Sequence, residues 1–324
     1  MNILIFSSAM SEPHFNIYQE KARIKPNPSN QVFYSKLIKA LSINNNVSVV
    51  TLRPFRKGMF KEKFLKPEET VYKNVKYYYS KAESSKLAKL INECNEVAKA
   101  ARKAIADFHS NDFIVIADTL RLNLLKAAIK IGKEFKTKVV GMLTDNPYNL
   151  TNVSKLYAGQ LTNEVLKCDA FLSLTKKMVE NINEFAPFYV FEGLVENISS
   201  STKKDPISNY YFFGGALYER YGVKRLVDAF RASNFKHKLV IAGSGPLESY
   251  IDMVASKDTR ILYLGPLSHE KFVSYELNAI ANINPRPLDT KLDKESVPSK
   301  LLEYFSRAVN LPDQRCRSIL SRFK

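Results

Sequence analysis

The sequence has few cysteines and no long apolar run, and both features limit what the protein can be. Its three cysteines, Cys94, Cys168 and Cys316, are odd in number and far apart, so they predict neither a disulfide framework nor a zinc knuckle. The four histidines show no metal-ligand spacing. No stretch reaches about 18 consecutive apolar residues, so we expect no membrane-spanning helix. We therefore expect a reduced, cytoplasmic setting.

The length and the charge of the chain are informative. With 324 residues, 45% of them hydrophobic and 25% charged, the chain is expected to be globular, with room for two domains of about 150 residues each. The net charge is +17. Such a basic excess fits anionic lipid, nucleic acid or phosphorylated ligands, and it fits an ordinary cationic surface equally well. A nucleic-acid partner is not expected, because no recognised binding module accompanies the charge.

Strand-like and helix-like segments alternate along the chain. The segments NILIF, VSVVTL, DFIVIAD and KVVGMLTD read as buried strands of the first half, and YYFFGG, HKLVIA and TRILYL as those of the second. This alternation predicts an α/β fold with parallel sheets. The long polar segment from Ser7 to Asn30, after the first strand, is expected to be a loop. It lacks a G-x-G-x-x-G fingerprint, so the first domain is not expected to hold a nucleotide.

The stretch from Asn284 to Ala308 carries the strongest functional signal. A strand-like LNAIANINP ends in a proline-bearing loop. The loop leads into SVPSKLLEYFSRA, which reads as a helix whose start Ser296 or Ser299 can cap. A helix start offers free N–H groups and a partial positive charge to a phosphate, and Lys300 lies in the first turn. Glu295 and Glu303 would lie about 10 Å apart. That spacing exceeds the roughly 5 to 9.5 Å of a hydrolase carboxylate pair and suits the two ends of an elongated ligand with a diphosphate between them.

With these residues the sequence resembles the retaining glycosyltransferases of family 4. Their signature is a Glu, seven residues and a second Glu, here ESVPSKLLE, and the flanking NPR and SKLLEY look like the bacterial capsule and exopolysaccharide branch. The resemblance implies the GT-B fold of two facing Rossmann-like domains. It also implies transfer of a hexose from a nucleotide diphosphate sugar, first a UDP-sugar, to a saccharide or lipid-linked saccharide with retention. The resemblance further implies that Glu295 contacts the donor sugar and that Glu303 contacts the nucleotide ribose.

The resemblance extends to the phosphate and base contacts. The family's G-R-x…K-G pattern becomes GGALYERYGVKR, in which Gly214 is followed by Gly215 at the usual Arg position and Arg220 lies near the usual Lys. Arg220 is the first candidate for the diphosphate, Lys224 is the second, and a merely superficial Arg220 is the alternative. The nucleotide base is implied to contact the backbone at the end of a later strand. The candidate residues at this strand end are Leu264 and Gly265, and the G-S-G-P turn adds Gly243 and Gly245.

Two aspartates and a basic segment complete the expected site. Asp118 and Asp145 end predicted strands; the resemblance implies that they face the acceptor, and capping of the next turn is the alternative. The segment 53–80 is basic and aromatic and reads either as a peripheral contact with an anionic membrane or as a solvated loop and edge strand. Its cationic cluster is Arg53, Arg56, Lys57, Lys61 and Lys63. No Asp-x-Asp signature lies at a strand end, so we expect neither metal nor cofactor.

The expected domain organisation follows from the same segments. We expect an acceptor-side Rossmann-like domain over residues 1–198, a polar linker over 199–206, a nucleotide-sugar-binding domain over 207–309 and an aberrant tail over 310–324. The family normally continues with a Gly-x-Pro turn, another strand and further helices, so the second domain is expected to be incomplete at its C-terminal end. The alternative function is that of a truncated or degenerate non-catalytic paralogue that binds nucleotide or a partner enzyme.

Overall fold

The protein consists of two compact units, of which the computed structural model describes residues 1–26, 28–149, 153–195, 207–287 and 301–304. The first unit contains Met1–Leu194, and the second begins at Val195 and contains the described residues from 207 onward. The predicted linker 199–206 and tail 310–324 lie outside the described residues.

The first unit is built on an eight-stranded sheet. Its strands are β1 (Asn2–Ser7), β2 (Asn46–Thr51), β4 (Glu68–Tyr72), β5 (Val75–Tyr79), β7 (Phe113–Asp118), β8 (Val139–Leu143), β9 (Ala170–Ser173) and β10 (Phe188–Val190). The order is β10-β9-β8-β7-β1-β2-β5-β4, with β4 antiparallel to its neighbour and the other pairs parallel. A separate antiparallel pair joins β3 (Phe64–Leu65) to β6 (Ala82–Glu83).

Helices cover both faces of this sheet. They are α1 (Glu12–Lys21), α2 (Ser29–Leu41), α3 (Lys86–Ala106), α4 (Leu122–Phe135), α5 (Lys155–Val165) and α6 (Lys176–Asn183). In β1, Leu4 and Phe6 pack into the core that contains α3 and α4, and Ile3 and Ile5 pack into the core that contains α2. A strand buried on both faces has to be apolar throughout, which is why Ile3 to Phe6 form a continuous apolar run.

The second unit repeats the pattern on a smaller scale. Its elements are β11 (Tyr210–Gly214), α7 (Val223–Ala232), β12 (Lys238–Ala242), α8 (Glu248–Ala255), β13 (Ile261–Tyr263), α9 (His269–Asn278) and β14 (Ala281–Asn282). The sheet is parallel, in the order β13-β12-β11-β14. Helices α7 and α8 pack on one face, and α9 packs on the other. Residues 301–304 are helical.

Two elements differ from the sequence-based expectation. The polar segment between Ser7 and Asn30 contains α1, which has few apolar residues and is anchored by Tyr18, a buried side chain whose hydroxyl donates to the Pro54 carbonyl. The strand-like LNAIANINP contains only the short β14, because α9 continues to Asn278. Among the described residues, no helix combines the length and the apolar character needed to cross a membrane.

Candidate functional site

The carboxyl ends of the second sheet bring most of the predicted donor residues together. The Gly215 N–H donates to the Ala242 carbonyl at 2.9 Å, and the Gly243 N–H donates to the Gly265 carbonyl at 2.9 Å. These bonds join the ends of β11, β12 and β13 along one edge. The predicted residues on this edge are Gly214, Gly215, Gly243, Gly245, Leu264 and Gly265. Ligands of open parallel sheets bind at such an edge.

The glycines of this edge do not share one role. Gly243 has φ 138°, and a Cβ there would overlap the Gly215 carbonyl oxygen, so the glycine lets two loops pack backbone to backbone. Gly265 has φ 66°, and a Cβ there would meet no atom within 4 Å. The tight-turn interpretation therefore explains Gly243, whereas open space lies beside Gly265.

Arg220 lies on the same edge, in the 3-10 turn Glu219–Tyr221 that precedes α7. It is exposed, and its guanidinium lies 5.2 Å from the Tyr218 ring centroid and 4.9 Å from that of Tyr221. Its Nη2 also donates to the Tyr221 hydroxyl at 3.0 Å. Lys224, the second candidate, donates to the Asp228 carboxylate at 2.9 Å. Because Lys224 is neutralised locally, Arg220 is the better candidate for an anionic ligand.

Arg286 is a cation of this edge that the sequence interpretation did not assign. It follows β14 and is half-buried, and its guanidinium lies 6.0 Å from the Tyr221 ring centroid. The preceding residue packs against the start of α7, since a Cβ at Gly222 would overlap the Pro285 carbonyl oxygen. The NPR run is the only sequence signal for Arg286, and that run does not reveal its proximity to Tyr221.

The helical residues 301–304 are tied to the same edge. The Tyr304 hydroxyl hydrogen-bonds the backbone of Gly214. Burial raises the pKa of Tyr304 well above its usual range, and the neighbouring Glu303 carboxylate adds to that rise. Glu303 is half-buried. Its helix therefore lies beside the end of β11, whereas the predicted Glu295, Ser299 and Lys300 lie outside the described residues.

Asp118 ends β7 in the first unit and is fully buried. Its carboxylate accepts the Asn30 side-chain N–H and the Leu120 backbone N–H, each at 2.9 Å, and the Ser8 hydroxyl donates to the Asn30 amide oxygen at 3.0 Å. Burial raises the pKa of Asp118, and these hydrogen bonds oppose the rise. The carboxylate thus caps the turn after β7 and holds the start of α2. Its predicted contact with an acceptor stays a prediction.

Asp145 lies two residues beyond β8, which pairs with β7. It is half-buried and accepts the Asn146 backbone N–H at 2.8 Å. Asp118 and Met142 are register partners in the neighbouring strands β7 and β8. Both aspartates therefore lie at the carboxyl ends of adjacent strands. Asp145 is the more accessible of the two.

Arg53 is buried, so it does not belong to the predicted basic surface. It is only 4% exposed and donates to the Glu68 carboxylate, to the Lys66 carbonyl and, at 3.2 Å, to the Ser80 carbonyl. Its guanidinium also lies 5.3 Å from the Tyr79 ring centroid. Arg53 is thus an internal ion-pair residue of the first unit. The exposed remainder of the cluster is Arg56, Lys57, Lys61 and Lys63.

Within the described part of the chain, no group of three or more His, Cys, Asp or Glu side chains is arranged to hold a metal ion.

Solved structures with the same fold include enzymes that act on sugars. Sucrose-phosphate synthase from Thermosynechococcus elongatus matches with a TM-score of 0.60 and 11% identity, over 88% of this chain and 75% of that one. A lipopolysaccharide outer core galactosyltransferase matches at 0.53 and 15% identity, over 95% and 79%. Anabaena HepE in complex with UDP and glucose matches at 0.51 and 10% identity, over 87% and 73%.

The sequence comparisons are negative: neither a family model nor a curated protein matches the chain. At such low identities the structural likeness establishes the fold. The predicted class, α/β with two Rossmann-like domains of the GT-B type, is confirmed.

Proposed function

We propose that the protein is a glycosyltransferase that moves a hexose from a nucleotide diphosphate sugar to a hydroxyl of a saccharide or lipid-linked saccharide. A UDP-sugar is the first candidate donor, and the transfer retains the anomeric configuration. The observation that supports this proposal is the convergence of Arg220, Arg286, the glycine loops and the Glu303 helix on one edge of the second sheet. The shared fold with a protein bound to UDP and glucose is consistent with it.

The donor residues have distinct roles in this proposal. Glu303 accepts hydrogen bonds from the ribose, and Glu295 positions the sugar hydroxyls. The base lies against the backbone near Leu264 and beside the open side of Gly265. The departing diphosphate gains negative charge, and preorganised cations stabilise such charge most effectively.

Those cations are Arg220 and Lys300, together with the helix start at Ser299. Arg286 is added to them because it shares the Tyr221 ring with Arg220. With these groups the reaction requires no metal ion.

On the acceptor side, the two aspartates contribute differently. Asp145 is accessible enough to contact an acceptor hydroxyl directly, whereas the buried Asp118 acts by holding Asn30 in place. Synthesis of a cell-surface polysaccharide at the inner face of the cell membrane belongs to the same proposal, because a lipid-linked acceptor is presented there.

The test combines calorimetry with a donor assay on the purified chain. We expect UDP to bind, and UDP-glucose or UDP-galactose to release UDP slowly in water and faster with a suitable acceptor. Glu303→Ala removes a ribose acceptor and is expected to weaken UDP binding by roughly 1.5–3 kcal/mol. Glu270→Ala, an exposed carboxylate at the start of α9, is the matched control.

The outcomes separate the alternatives. Binding of UDP without any release from a panel of UDP-sugars would support the non-catalytic paralogue instead. Equal UDP affinity for Glu303→Ala and the parent chain would remove the ribose role from Glu303. If UDP does not bind at all, the proposal of a UDP-sugar donor is wrong.

A further inference from the structure

The first turns of α3 carry an apolar stripe that faces solvent. Leu87, Leu90 and Ile91 are 66%, 76% and 60% exposed. Their spacing places them on one side of the helix. The buried residues of α3 begin only at Val97, so the stripe is not an extension of the core contact. Contiguous exposed apolar residues of this kind mark interaction sites.

A basic loop lies next to this stripe. Between Pro54 and Lys66 the chain has five exposed cations and the single carboxylate Glu62. The cations are Arg56, Lys57, Lys61, Lys63 and Lys66. Within the described ranges, none of the five forms a salt bridge. The next two carboxylates, Glu68 and Glu69, are already engaged by other cations.

Hydrogen bonds hold the loop and the stripe in one surface. The Ser84 N–H and hydroxyl both donate to the Lys63 carbonyl, at 3.2 and 3.1 Å. The Lys89 ammonium, within the first turns of α3, donates to the Phe55 carbonyl. Phe64 pairs with Glu83, just before α3, and its side chain is 45% exposed. We call this surface, made of the 54–66 loop and the α3 stripe, the basic-apolar face.

We infer that the basic-apolar face binds an anionic lipid bilayer, with Leu87, Leu90 and Ile91 entering the headgroup boundary and the loop cations lying over the anionic headgroups. An apolar stripe flanked by unpaired cations is the composition that binds a membrane surface without spanning it. The charges favour an anionic lipid surface over an uncharged apolar partner. Against an uncharged partner, the cations beside the stripe would lose their water without gaining an opposite charge. The inference does not depend on the transferase proposal, since binding to vesicles requires no donor.

The test is vesicle co-sedimentation with the full chain. We expect binding to vesicles of phosphatidylglycerol mixed with phosphatidylcholine, and little binding to phosphatidylcholine alone. The triple variant Leu87→Ser, Leu90→Ser and Ile91→Ser should lower the affinity for anionic vesicles at least tenfold. The control is Ile43→Ser, an equally exposed apolar residue in the turn between α2 and β2, where it precedes the amino end of a strand.

A second pair of variants tests the charges. Lys57→Ala with Lys61→Ala should weaken binding about 25-fold at low salt, because each surface cation contributes about 1 kcal/mol, or about fivefold. Lys236→Ala with Lys238→Ala removes two exposed cations from the second unit and should leave binding nearly unchanged. Circular dichroism checks that every variant stays folded.

Three results would overturn the inference. The first is equal binding to neutral and anionic vesicles. The second is a stripe variant that binds as well as Ile43→Ser. The third is a dimer in sedimentation equilibrium that the stripe variant dissociates, which would assign the stripe to a second copy of the chain.

Discussion

The ring of Tyr221 lies beside two guanidinium groups. One belongs to its sequence neighbour Arg220, and the other belongs to Arg286, which is distant in the chain. Arg286→Ala is expected to weaken UDP binding by roughly 1.5–3 kcal/mol, the usual contribution of a hydrogen bond to a charged group. The affinity for uridine, which has no phosphate, should not change. Calorimetry with both ligands measures the difference.

The control for this prediction is Lys224→Ala, because Lys224 is already paired with Asp228 and should contribute little to a ligand. A purely structural Arg286, needed only to pack against Tyr221, would weaken UDP and uridine to the same extent. That result would contradict the diphosphate role and leave the packing role.

Two charged side chains, those of Arg53 and Asp118, are buried although their sequence context predicts exposed or ligand-binding positions. Arg53 belongs to a basic run and would be expected at the surface, yet it is enclosed and paired with Glu68. Asp118 follows a strand as a ligand-binding residue would, yet its carboxylate is used by Asn30 and Leu120. In both cases the partner comes from elsewhere in the chain.

At the scale of the element, the loops after β11 and β12 form one packed unit. Gly243→Ala would place a Cβ against the Gly215 carbonyl and impose a positive φ on a side chain. Gly265→Ala meets only the second difficulty, since its Cβ would have open space. We expect Gly265→Ala to cost about 1–2 kcal/mol of unfolding free energy and Gly243→Ala clearly more. Urea unfolding of the two variants measures this difference.

Similar losses for the two variants would show that the loops separate easily, and that Gly243 serves only the local turn. If Gly265→Ala retains most of its stability but loses UDP binding, the open side of Gly265 is used by the ligand.

The missed helix α1 shows how an element can depend on tertiary contacts. Its side chains give little amphipathic pattern, but Tyr18 is buried, His14 stacks on Tyr79 at 4.2 Å and Tyr72 donates to Glu12 at 2.8 Å. Short helices are marginal without such packing. The sequence-based expectation of a loop at residues 7–30 was therefore wrong for this part.

At the scale of the whole molecule, the proposed chemistry relies on cationic side chains. Donor hydrolysis or transfer is therefore expected to survive EDTA, because Arg220 and Arg286 would stabilise the leaving diphosphate directly. The rate should be compared before chelation, after it, and after adding excess magnesium or manganese. A loss of activity that either ion restores would contradict this assignment of the charge-stabilising groups.

The sequence by itself determined the alternation of strands and helices, the parallel α/β class and the positions of most strand ends. These depend on local apolar runs and turn residues, which are readable along the chain. Only the tertiary structure decided which strand ends are neighbours, that Arg286 joins Arg220 on the ring of Tyr221, and that Arg53 is internal while Leu87, Leu90 and Ile91 are exposed. The physical reason is that burial and pairing depend on contacts between residues far apart in sequence, which no local pattern records.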